Sequence, residues 1–102
     1  MGSELFVQKS RGEDAHDAFS RAVRDALYWH GHKGYTGTIA EKDSFVVISI
    51  PEGVDPFYYA YKLIEENDER INDKWGPAGC IEIKEEETKY YNVFLFFGWA
   101  SS

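Results

Sequence analysis

The chain has 102 residues and a mass of 11.7 kDa, enough for one domain over residues 1–102 and too little for a second core. Apolar residues at 43% and aromatics at 17% exclude a disordered chain, and no apolar run approaches the ~18 residues of a membrane span, so no membrane partner is expected. Eleven Lys and Arg against eighteen Asp and Glu give a net charge of −7, without the cation cluster that duplex nucleic acid demands. The single cysteine, Cys80, cannot close an internal disulfide, which points to a reducing, cytoplasmic setting. It sits in the apolar segment 79–83 with glutamates after it, and is expected to be a core thiol.

Taken in chain order, Leu5-Phe6-Val7 predicts a first strand over residues 4–9. Ala15, Ala18, Phe19, Ala22, Val23, Ala26 and Leu27 recur at steps of three and four and predict a helix. Ser10 and Glu13 have capping-box spacing, and Asp14 can also cap. Asp17, Arg21, Arg24 and Asp25 fall on the opposite, solvated face. Gly31 to Gly37 ends the helix. The β-rich residues from Tyr35 to Ile50 then predict a hairpin, Thr36–Ala40 pairing with Phe45–Ile50 across the polar break 41–44. Because its second arm is apolar on both faces, it is expected in the middle of the sheet.

Asp55-Pro56 supplies an N-cap and a first-turn proline for a second helix. Phe57, Ala60, Tyr61, Ile64 and Ile71 are its expected apolar stripe, and Trp75-Gly76-Pro77 stops it. Residues 79–84 and 90–99 read as two more strands joined by the acidic turn Glu85-Glu86-Glu87. The order βαββαββ predicts an α+β fold, an antiparallel or mixed sheet with both helices on one face. The nearest plan is ferredoxin-like with an added last strand. Two strand pairs with hairpin-length links argue against a doubly wound sheet.

Chemistry concentrates between His30 and Lys42, where two imidazoles, three glycines, two threonines, an acid and two lysines crowd thirteen residues. The run Gly34-Tyr35-Thr36-Gly37-Thr38-Ile39-Ala40-Glu41-Lys42, with Lys74-Trp75-Gly76-Pro77-Ala78 downstream, resembles the signature of a family of small proteins from tailed bacteriophages and some bacteria. The resemblance covers the middle and C-terminal two-thirds of the chain. It implies a phage-type accessory protein acting in the host cytoplasm, and it brings no reaction with it.

His30 and His32 supply two ligands where a metal centre needs three or four, and His16 lies about 21 Å away along the same helix, so no metal is assigned. Gly31, Gly34 and Gly37 follow a helix and precede a strand, the reverse of the dinucleotide and Walker motifs. Their amides, with Lys33 and Lys42, can still form an anion nest. No serine has a nucleophile-elbow context, and no catalytic residue is assigned. The aromatic residues populate both faces of the last strand, so a second subunit is expected over the face that the helices leave open.

These features give three readings. The first is a non-enzymatic, homo-oligomeric protein holding a small anionic or nucleotide-like ligand, with a host defence signal as its candidate cargo. Its expected binding residues are His30, His32, Lys33, Tyr35, Thr36, Thr38, Lys42 and Trp75, and no cofactor is assigned. The second is an acidic inhibitor whose face at 65–69 and 85–87 occupies a basic host protein. The third is a small hydrolase built on His30, His32 and Glu41.

Overall fold

The computed structural model describes residues 2–102, with strands β1 (Ser3–Gly12), β2 (Phe45–Val47), β3 (Ala78–Glu82) and β4 (Asn92–Ser101) and helices α1 (Ala15–His30) and α2 (Pro56–Glu65). Two 3-10 turns cover Ile39–Glu41 and Lys84–Glu86. The strands form one mixed sheet of order β1-β4-β3-β2, in which β4 runs antiparallel to both neighbours and β2 pairs parallel with β3. The α+β class with two helices and a mixed sheet is therefore as expected.

Local chemistry accounts for the helix starts. Asp14 caps α1, its carboxylate accepting from the Asp17 amide at 2.8 Å, while Asp17 accepts from the Glu13 amide at 2.9 Å. Ser10 is not the cap. It stays in β1, and its hydroxyl donates to the Ala18 carbonyl. Asp55 caps α2 through the Tyr58 amide, with Pro56 in the first turn as expected. The α2 stripe is shifted from the expected one. Pro56, Ala60, Leu63 and Ile64 are buried, Phe57 and Tyr61 are exposed, and Ile71 packs from the turn beyond the helix.

The helices lie on opposite faces of the sheet, which corrects the one-face, ferredoxin-like plan. Ala18, Ala22 and Ala26 of α1 pack with Phe6, Cys80, Phe94 and Phe96. Ala60, Leu63 and Ile64 of α2 pack with Ile81, Val93, Leu95 and Phe97. Topology explains this. β1, β2 and β3 share a direction; the chain crosses the whole sheet from β1 to β2 and steps back from β2 to β3. Right-handed crossovers moving in opposite directions put their helices on opposite faces.

The same arrangement accounts for the two-faced aromatic strand. β4 is central, its even residues under α1 and its odd residues under α2, so Phe96 and Phe97 are both fully buried. That strand needs no second copy to cover it. β2, expected in the centre, is instead a three-residue edge strand whose Val47 is 64% exposed. The other hairpin arm is absent as a strand. Residues 36–38 are irregular and lead into the first 3-10 turn. Cys80 is a core thiol as expected, pushed up to about 12 by burial and by the charge of Glu82.

Candidate functional site

The glycine loop leaves α1 through Gly31, whose amide bonds the Leu27 carbonyl at 2.9 Å. Gly31 and Gly34 both have positive φ and open space around them. His30, His32 and Lys33 are exposed. Among the described residues no hydrogen bond joins either histidine to Glu41, and no three His, Cys, Asp or Glu side chains gather as a metal centre would need.

Glu41 is held by the loop itself. Its Oε2 accepts from the Thr36 amide at 3.1 Å and the Thr36 hydroxyl at 2.8 Å. With that proton committed, the 2.8 Å contact between the two threonine hydroxyls has Thr38 donating to Thr36. Thr38 Oγ1 in turn accepts from the Ala40 amide at 3.2 Å. Burial opposes ionisation of Glu41, but the Thr36 hydroxyl and amide and the Tyr35 amide outweigh it and hold the carboxyl below its ordinary value. The polar atoms expected to meet a ligand are thus spent on closing the 3-10 turn. This also explains the missing strand, because the threonines bond within their own segment.

Lys42, expected as an anion contact, is buried instead. Its ammonium donates to the carbonyls of Gly76 at 2.9 Å and of Asp73 and Lys74 at 3.2 Å each. Burial lowers its pKa, and the nearby Asp73 carboxylate works against that. All three N–H groups serve the 73–76 turn, which leaves none for a phosphate. The clamp does bring the glycine loop to that turn, as the sequence reading required. The Tyr35 and Trp75 rings meet edge to face at 6.4 Å, both more than half exposed, and the Lys74 ammonium lies 5.3 Å from the Trp75 ring centre.

A second assembly went unread in the sequence. A groove of about 530 Å³ between β1 and α1 is lined by Lys9, Ser10, Arg11, Arg21, Arg24, Asp25, Glu86, Tyr91 and Val93. Four of the chain's eleven cations converge there against two carboxylates. Lys9 pairs with Glu86 at 2.7 Å, and Arg21 Nε reaches Asp17 at 3.3 Å. The Arg11 guanidinium lies over the Tyr91 ring at 5.0 Å. Arg24 forms no ion pair among the described residues. The readable signal was the pairing of Lys-Ser-Arg in a strand with Arg-x-x-Arg in the next helix, which packs onto that strand.

Comparison with family models, with curated proteins and with solved structures finds no match for this chain.

Proposed function

We propose that this chain is a non-enzymatic binding protein for an anionic ligand, and that the groove between β1 and α1, rather than the glycine loop, receives the anion. One observation carries this reading. In a chain of net charge −7, Lys9, Arg11, Arg21 and Arg24 surround a single groove whose own carboxylates number two. Guanidinium groups suit phosphate and carboxylate oxygens because they donate in a planar fork. The glycine loop supports the reading less well, since Lys42 is committed to three carbonyls and Thr36 to Glu41. The Glu41 carboxylate that a hydrolase built on His30, His32 and Glu41 would use is instead held by the Thr36 amide and hydroxyl, which favours binding over hydrolysis.

The test is a titration of the labelled protein with tripolyphosphate at low ionic strength. Amides of Lys9–Arg11 and Arg21–Asp25 are expected to shift together and saturate, and Arg21→Ala with Arg24→Ala to weaken the response about tenfold, as loss of two charge-assisted contacts implies. Shifts confined to Gly31–Lys42 and untouched by the double variant would return the site to the glycine loop.

A further inference from the structure

We infer that the anion this groove receives is an extended acidic peptide, which adds as a fifth strand on the outer edge of β1. The inference rests on reading the groove as an anion site and names its occupant. Two observations lead to it.

The first is the open edge. Gly2 and Ser102 exchange both backbone hydrogen bonds, at 3.2 and 3.1 Å, so they are a hydrogen-bonded pair of the antiparallel ladder. The ladder runs without a bulge from Ser3↔Ser101 to Gly12↔Asn92. Even-numbered residues of β1 therefore turn their N–H and C=O toward β4, and odd-numbered ones turn theirs away. Among the described residues, the outward groups of Leu5, Val7, Lys9 and Arg11 have no hydrogen-bond partner. Such an edge is a template for another chain.

The second is where the cations stand. Lys9 and Arg11 project to the α2 face of the sheet, in register with Leu95 and Val93. Arg21 and Arg24 come from α1, which covers the other face. The groove thus wraps around the strand edge with positive charge on both sides. Side chains of an added strand alternate between the same two sides, so carboxylates at either parity find a cation. A second copy of this chain fits less well, because pairing β1 against itself sets Lys9 and Arg11 near their own duplicates.

The experiment titrates the labelled full chain with a blocked ten-residue peptide of Glu, Asp and Val. Parallel titrations use its Gln/Asn analogue, a version N-methylated at alternate residues, tripolyphosphate and a ten-residue oligothymidylate. The acidic peptide is expected to bind about tenfold or more tightly than the neutral and N-methylated versions, since both charge and main-chain pairing contribute. It should slow hydrogen exchange of the Val7, Lys9 and Arg11 amides. Exposed-site reversals Arg21→Glu and Arg24→Glu should abolish binding while the spectrum of the free protein keeps its dispersion. Equal binding of the N-methylated peptide, or oligothymidylate binding without protection of those amides, overturns strand addition and leaves the anion site standing. Protection of the same amides by self-association without peptide overturns the peptide as occupant. If no anion perturbs Lys9–Arg11 or Arg21–Asp25, the groove reading itself falls.

Discussion

Removing the Lys42 ammonium leaves the carbonyls of Asp73, Lys74 and Gly76 facing a space from which water is largely excluded. Each lost bond to a charged donor is worth roughly 1.5–3 kcal/mol, offset by relief of the lysine's own desolvation. Lys42→Ala should therefore lower unfolding stability by about 2–3 kcal/mol with or without ligand, measured by urea denaturation. An unchanged midpoint would contradict the clamp. Asp68 behaves differently because its partner, Arg70, is at the surface. The Arg70 guanidinium bonds both its oxygens, at 2.9 and 2.8 Å, and brings its carboxyl from the usual 3.8 to about 2. A depressed carboxylate contributes stability above its ordinary value and loses it as pH falls through the folded value. Arg70 is about half exposed, so the contribution is screened to about 1 kcal/mol or less. Asp68→Asn should accordingly cost stability at pH 7, and the gap to the parent should close as pH falls from 3.8 toward 2.

At the scale of elements, β3 is narrow at Gly79 because the Phe97 ring of β4 lies across it. A β-carbon built there would stand 2.6 Å from that ring. Gly79→Ala should lower stability by about 2 kcal/mol through displacement of a fully buried phenyl group, with a corresponding drop in melting temperature. Both helices and all four strands were legible in the sequence, and the one surplus was the strand expected over 36–40. The alanine stripe of α1, the Asp55-Pro56 start of α2 and the acidic turn before β4 are local signals that tertiary packing leaves intact. The segment 36–40 misled because threonine and isoleucine favour strands, yet Thr36 found Glu41 five residues away and Thr38 found Thr36 and the Ala40 amide two away on either side. Periodicity could not say which face each helix covers, because that follows from strand order. The candidate groove was hidden for the same reason: Arg21 and Arg24 look like a wet helix face until β1 is seen beneath them.

For the whole molecule, the aromatic surplus that suggested a second subunit is mostly absorbed internally. Phe94 and Phe96 lie on one side of β4 and Phe97 on the other, each among the chain's own helices. Sedimentation of the free protein at micromolar concentration should give 11.7 kDa. Tyr28 and Trp29, 78% and 77% exposed at the end of α1, remain outside this core and pack edge to face on one another.

The central position of β4 also sets the order in which the fold can come into being. On the ribosome, β1 leaves the exit tunnel before the other described strands, but β4, its strand partner among the described residues, is the last of them to be made. β2 and β3 can pair before then, while β1 must wait for residues 92–101, some eighty positions later. Such distant pairing makes loop closure a costly step and folding slow for a domain of this size. A nascent chain stalled after Glu87 should therefore hold a collapsed, protease-sensitive intermediate with no β1 pairing. Arrest-peptide force measurements should register folding only once β4 has cleared the tunnel. Protease resistance of β1 before that point would show that the sheet can nucleate without its middle.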